Sequence, residues 1–380
     1  MGIKKLVIAS VLKPVDDTRI YEKFSISLAK TNKYEINIIG FSTKKISIQK
    51  NINFYPLFTF YRLSLQRFIA PLSYFKLLIR IKPDLIIATT YELLLPSIFY
   101  TWIGKGKIIY DIRENYAKNA IYNHGMPKPV RYIWALVIGL IERITHPWIA
   151  HYILAEKGYQ KELRFIGNKF TVIENKVLFS DGLQKSLKKE AVRRADEIRF
   201  IYSGTITKIY GIYQAINLFL DIRKFISNAT FTITGHFPYK EDFVLIRSIA
   251  NHNPSITVKG GLAPVPHSKI MAEIAQANFG FISHQPVASI ENCFPTRIYE
   301  YMAFQLPIIL QNHPLWTTYC QTWDSAIVID YNNYHCSEII EQIQKRNFYK
   351  KGIPASIFWQ NQEEMCLIQL VYDIIHQQIE

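Results

Sequence analysis

Cysteine is scarce in this chain of 380 residues: four occur, Cys293, Cys320, Cys336 and Cys366. None stands in a CxxC pair or beside a set of histidines, so neither a disulfide framework nor a zinc motif is indicated, and a reducing cytoplasm is the expected setting. Long apolar runs are missing too. Leu6–Ala9 is too short for a secretory signal, and the run from Ile133 stops at Glu142 and Arg143, well short of the ~20 residues a spanning helix needs. Any membrane contact is therefore expected to be peripheral. Acidic residues are the third shortage: 30 Asp and Glu against 45 Lys and Arg give a formal charge of +15. That excess favours an anionic partner, whether nucleic acid, anionic lipid or a phosphorylated substrate. No Asp-x-Asp metal motif is present.

What is present is a globular composition, 49% apolar and 20% charged, in a chain long enough for two domains. Short apolar runs at Leu6–Ser10, Ile36–Gly40, Leu85–Ala88, Ile108–Asp111 and Tyr152–Leu154 alternate with helical stretches, the pattern of a parallel sheet. Ile20, Phe24 and Leu28, spaced by four, mark one helix face. A polar, lysine-rich segment over 179–197 reads as a linker. The alternation then restarts with strand candidates Phe200–Tyr202, Phe231–Thr234, Ile256–Lys259, Phe279–Ile282, Ile308–Leu310 and Ile327–Ile329. The expected fold is α/β, two doubly wound Rossmann-like domains over 1–178 and 198–355, with a final helix over 356–380 returning to the first domain. A cleft between them is the default ligand site.

The densest motif is Asn292-Cys-Phe-Pro-Thr-Arg-Ile-Tyr-Glu300-Tyr-Met-Ala-Phe-Gln-Leu-Pro307. It reads as a loop, a helix opening at Pro295, and a buried strand. Proline suits a first helical turn, and the free N–H groups near Thr296 and Arg297 would form a positive end suited to a diphosphate. Glu300, one turn on, could accept hydrogen bonds from a ribose diol.

This string resembles the Pro-Thr-Lys-x-x-Glu-Tyr-Met-Ala pattern of glycosyltransferase family 4. Asp17-Thr-Arg-Ile-Tyr-Glu, Tyr110-Asp-Ile-Arg-Glu-Asn-Tyr116, Ser203-Gly-Thr205, Phe231-Thr-Ile-Thr-Gly235 and Phe358-Trp-Gln-Asn-Gln-Glu363 are similar to other family segments. The resemblance implies a GT-B fold and transfer of a sugar from a nucleotide-sugar donor to a glycan or lipid-linked acceptor. It also implies retention at the anomeric carbon and independence of metal or other cofactor. It places the donor on Gly204, Thr205, Gly235, His236, Asn292, Pro295, Thr296 and Glu300, the acceptor near Asp17, Arg19 and Arg113, and the chemistry on Arg297, Lys208 and Glu114. There are departures. Asn292 stands for the first Glu of the family's pair, Thr205 and Tyr210 stand for its basic pair, leaving Lys208 the nearest substitute, and Arg113, Ile87 and Thr89 stand where histidines are usual.

Plainer readings run alongside. Asp17 or Thr18 could simply cap a helix, Arg113 and Glu114 could join an internal ion pair, and Arg297 could be solvated. His236 and His284 could border the donor pocket or lie on the surface. From Phe54 to Lys82, aromatics interleave with Arg62, Arg67, Lys76, Arg80 and Lys82. Such a stretch could meet an anionic membrane or pack on the core. It would also suit single-stranded nucleic acid, but no recognised module accompanies it and no nucleic-acid partner is expected. A nucleotide-sugar epimerase and a non-catalytic sugar-nucleotide or glycan-binding protein are the alternative functions.

Overall fold

The structure, a computed structural model, describes residues 2–43, 49–59, 66–122, 127–179, 197–287 and 290–376. It divides into two compact units, Met1–Asn175 with Trp359–Glu380, and Lys176–Phe358. Sequence composition sets the boundaries a few residues away, at 178 and 356. The expected linker lies largely outside the described residues.

The first unit carries seven strands: β1 (Lys4–Pro14), β2 (Tyr34–Phe41), β3 (Ile52–Phe58), β4 (Leu85–Ala88), β5 (Lys107–Ile112), β6 (His151–Leu154) and β7 (Phe170–Val172). They lie in the order β3-β2-β1-β4-β5-β6-β7, parallel at every step. Leu6–Ala9 and Leu85–Ala88 are fully buried, because a parallel sheet covered on both faces demands continuous apolar strands. Helices Gln66–Ile81, Leu94–Ile103 and Lys128–Thr145 fall within the connections into β4, β5 and β6. Right-handed crossovers place these three on one face of the sheet.

Thr18–Ser25, wound as a π-helix, runs into Ile26–Ala29. Ile20, Phe24 and Leu28 are buried together, so the spacing identified the face correctly although the winding is wider than an α-helix. The Trp359 ring stacks on Phe24 at 5.8 Å and its indole N–H donates to Ser27 Oγ at 3.0 Å. Leu367, Val371 and Ile374 of the closing helix Glu363–His376 are buried in the same unit.

The second unit has β8 (Arg199–Thr205), β9 (Thr230–His236), β10 (Ile256–Gly261), β11 (Phe279–Ile282), β12 (Ile308–Gln311) and β13 (Ala326–Ile329). Their order is β10-β9-β8-β11-β12-β13, again all parallel. One face buries Phe200, Phe219, Phe231 and Phe281 as a ring cluster. The other buries Ile298, Tyr301, Met302 and Trp316. Strand order reverses at β1/β4 and at β8/β11, the positions where doubly wound sheets open their ligand crevices.

Two strands differ from expectation. β3 is half exposed and contains Pro56, tolerated because β3 is the sheet edge, and β7 is three residues long. The stretch from Phe54 to Lys82 is thus a strand followed by a helix, and Arg62 lies outside the described residues. Arg67 forms an ion pair with Glu92.

Glu142, 3% exposed within the helix Lys128–Thr145, accepts a hydrogen bond from Tyr110 at 2.8 Å. Burial pushes its carboxyl up to about 7, with the Tyr110 hydrogen bond and Arg143 only partly offsetting it. The folded state therefore holds a proton that the unfolded chain releases near its ordinary carboxylate pKa, and stability falls as pH rises between the two values. Glu142→Gln is expected to flatten that decline. Urea unfolding at pH 5 and pH 8 should show the wild type losing roughly 3 kcal/mol more than the variant.

Candidate functional site

The C-terminal ends of β8, β9 and β10 carry a row of glycines in register, Gly204 beside Gly235 and Gly235 beside Gly260. All three have positive φ, at 94°, 149° and 149°. A Cβ at Gly235 would sit 1.8 Å from the Gly204 carbonyl oxygen, and one at Gly260 2.0 Å from that of Gly235. Gly235 and Gly260 are therefore closed to any side chain. Over Gly204 there is more room: a Cβ there would meet Arg297 Cδ at 3.7 Å.

After β8 the chain turns through Thr205–Tyr210 into the helix Ile212–Arg223. Tyr202 Oη donates to the Tyr210 carbonyl at 2.7 Å, Gln285 N–H to the Ile209 carbonyl at 3.0 Å, and Ser283 Oγ to that of Gly211 at 2.7 Å. Gly211 has φ 77°, and a Cβ there would fall 1.6 Å from the Ser283 carbonyl oxygen. The loop is thereby fastened to the end of β11. Thr205 and Lys208 remain exposed on it.

Arg297 lies beneath this loop, 7% exposed, its guanidinium 4.6 Å from the Tyr202 ring centre and 6.0 Å from that of Tyr210. Nη2 donates to His284 Nε2 at 3.3 Å, whereas Nη1 has no hydrogen-bond partner. Among the described residues no carboxylate pairs with it. Burial weighs against the charge, but the surrounding tyrosines, Tyr202 foremost, hold its pKa above the usual arginine value. His284 is 6% exposed, and burial, then the neighbouring Arg297 and His313, drive its pKa well down. It is neutral, and since Nε2 accepts from Arg297, the proton sits on Nδ1, which also lacks a partner. The solvated Arg297 and surface His284 weighed from sequence are both corrected here: each is interior.

The helix Thr296–Ala303 has Pro295 as its cap rather than its first residue, and Pro295 makes no side-chain capping bond. Ile298 N–H reaches the Pro295 carbonyl at 2.9 Å, leaving the amides of Thr296 and Arg297 without an acceptor among the described residues. They follow from the ordinary deficit at a helix start. Glu300 Oε1 is held by His267 Nε2 at 2.8 Å, a partner that sequence spacing gave no means to find. His313 stacks on Trp316 at 3.9 Å, with Nε2 3.0 Å from the Glu291 carbonyl oxygen. Asn292 is half-buried, and His236 ends β9, its carbonyl accepting from Ile206.

In the first unit the groups expected near the acceptor are tied together. Asp17 caps the helix through the amides of Arg19 and Ile20 and pairs with Arg113 at 2.9 Å. Burial opposes its ionisation, yet Arg113 and Lys13, with the bonds from Arg113 and Ile20, outweigh it and bring the carboxyl down to about 2. Arg19 is turned inward, paired with Asp111 at 2.7 Å and donating to the Ile173 carbonyl at 3.0 Å; it is an interior residue, which corrects the expectation of direct acceptor contact. Glu114 is exposed and accepts from Asn119 at 3.1 Å. Ile87 and Thr89, at positions usual for histidine in the resembled family, are buried, Thr89 bonding the Ala9 carbonyl from its hydroxyl.

No family model matches the chain, nor does any curated protein. Solved structures match it end to end. Sucrose-phosphate synthase from Thermosynechococcus elongatus superposes with a TM-score of 0.73 at 12% identity, covering 98% of this chain and 99% of that one. A UDP-forming α,α-trehalose-phosphate synthase from Burkholderia vietnamiensis gives 0.66 at 10% identity, with 98% of both chains covered. HepE from Anabaena, solved with UDP and glucose, gives 0.62 at 11% identity over 99% of this chain and 100% of that one. The two doubly wound units are thus the GT-B fold. At such identities the likeness extends to the fold alone.

Because no side chain fits between adjacent strand ends, Gly235→Ala should force β8 and β9 apart beside Arg297. We expect a loss of about 2–4 kcal/mol in urea unfolding; an alanine variant as stable as wild type would contradict the packed glycine row.

Proposed function

We propose that the chain is a nucleotide-sugar-dependent glycosyltransferase of the family 4 type, moving a sugar with retention to a glycan or lipid-linked glycan. The observation that carries this is Arg297: a guanidinium buried without a carboxylate, with Nη1 unsatisfied beside an equally unsatisfied His284 Nδ1–H. An isolated buried charge is costly, and a diphosphate would complete it, adding the free amides of Thr296 and Arg297 to the same anion. Solved structures of this fold with UDP or UDP-glucose bound support that ligand class.

In this reading Gly204 lets the donor approach the protein backbone closely, with Thr205, Gly235, His236, Asn292 and Pro295 at its border. Glu300, steadied by His267, takes the ribose diol. The donor breaks at its anomeric carbon as charge builds on the departing diphosphate, and Arg297 stabilises that charge, helped by exposed Lys208; such preorganised donors are commonly the largest contribution to catalysis. No metal ion is needed for this role. Arg113 and Glu114 are the proposed acceptor-side groups, with Asp17 orienting Arg113 and Arg19 supporting both from the interior.

A thermal-shift screen of UDP-, GDP-, ADP- and dTDP-sugars is expected to give a stabilising donor, and Glu300→Gln to weaken it by about 1.5–3 kcal/mol. A flat screen would overturn the proposal. Binding without transfer or hydrolysis over a broad acceptor panel would make the chain a binding protein, and release of an epimerised sugar nucleotide would make it an epimerase.

A further inference from the structure

The first unit leaves an apolar surface uncovered, and its three helices are neighbours on one face of the sheet. Along Lys128–Thr145, Ile133, Leu136, Leu140 and Ile144 form an outward stripe at helical spacing, Leu136 being 73% exposed. The opposite side of that helix, with Ala135, Ile138 and Glu142, is buried. The helix therefore carries apolar groups on both its inner and its outer faces. Next to it, Leu94–Ile103 exposes Leu95, Phe99, Trp102 and Ile103, with Trp102 60% exposed. Trp102 sits edge-on to Phe99 at 5.1 Å and to Trp148 at 6.1 Å, which joins the two helices' outer surfaces. Ile69, Leu72 and Ile79 continue the face on Gln66–Ile81.

A soluble monomer seldom leaves so large a contiguous apolar patch to water. Its charges indicate what covers it. Residues 66–83 and 94–107 contain no Asp or Glu, and 127–150 contain only Glu142, which is buried. Lys76, Arg80, Lys105 and Lys128 are exposed around the patch. Apolar and indole groups bordered by cations, with acidic side chains withheld, match an anionic bilayer surface, where tryptophan and tyrosine settle at head-group depth. Among the described residues no helix is long and apolar enough to cross a membrane, so the contact is one of lying on the surface.

We propose that this three-helix face docks the protein onto anionic lipid bilayers. The region differs from the stretch that sequence interleaving singled out: weight shifts from Phe54–Lys82 to Leu94–Ile103 and Lys128–Trp148, because Arg67 is committed to Glu92. The face belongs to the first unit and Arg297 and Glu300 to the second, so the proposal uses none of the residues of the proposed donor site and stands independently of sugar transfer.

Co-sedimentation with vesicles of phosphatidylcholine alone and of phosphatidylcholine with phosphatidylglycerol tests it. Wild type should bind the anionic vesicles, and binding should fall steeply with salt. Replacing Lys76, Arg80, Lys105 and Lys128 by Gln should lower the partition coefficient by about fivefold per cation, with the melting temperature little changed. Trp102→Ser with Leu136→Ser and Leu140→Ser should abolish binding even at low salt, again with the fold retained by melting temperature. Absence of wild-type binding at low salt, or equal binding to both vesicle types, would overturn the proposal. So would sedimentation as a dimer that the serine variant dissociates and vesicles do not, since a second copy would then cover the face.

Discussion

A buried guanidinium with no counter-ion among the described residues is the constraint around which the second unit is arranged. Arg297 has left water without acquiring a carboxylate, and its surroundings offer partial compensation. The Tyr202 ring supplies a cation–π contact at 4.6 Å, worth on the order of 2 kcal/mol when desolvated, and neutral His284 accepts one N–H. Two tyrosines around it are fixed elsewhere: Tyr202 by the Tyr210 carbonyl, and Tyr301, in the same helix as Arg297, by Ser203. Glycine at 204 keeps the space over the guanidinium's stem clear of a side chain. The result is a hydrogen-bonded cradle in which Arg297 Nη1 and His284 Nδ1 have no partner, the feature on which the proposed anion site rests.

The first unit contains the complementary case. Arg19 is as deeply buried, but Asp111 binds it through both Nε and Nη2 and the Ile173 carbonyl takes Nη1. Each of its three guanidinium nitrogens has a partner within the fold, so it joins the helix at Thr18 to β5 and to the residue after β7. The same side chain has a partner at every nitrogen in one setting and an unmatched Nη1 in the other, and under the proposed function that difference separates a structural arginine from a binding one.

Much of this was legible in the sequence. All six strands of the second sheet stand out between helical stretches, β11 and β12 because strands buried on both faces need uninterrupted apolar residues, and the largely exposed edge strand β10 through Ile256 and Val258. β3 and β7 were not legible: one is a half-exposed edge with a proline and the other only three residues, so neither carries a periodic signal. The string around Glu300 located the helix and its free amides. It could not show that Arg297 points inward, since a single arginine one position into a helix fits both a solvated and a buried side chain. His267 escaped for a related reason, being brought to Glu300 by the fold and not by sequence spacing; His284 was read as a candidate for the pocket's border, but its contact with Arg297 was not legible. The exposed apolar face on Lys128–Thr145 was hidden because apolar residues on both sides of a helix read as a buried helix.

The most direct measurement is urea unfolding of Arg297→Met beside Arg19→Met, each with and without a saturating nucleoside diphosphate. If Arg297 is an uncompensated charge awaiting its anion, methionine there should leave ligand-free stability unchanged or raised and should remove the stabilisation by diphosphate. Arg19→Met, which strands a buried Asp111, should cost about 3–5 kcal/mol. A similar loss for Arg297→Met without ligand, or diphosphate stabilisation that survives it, would contradict the account.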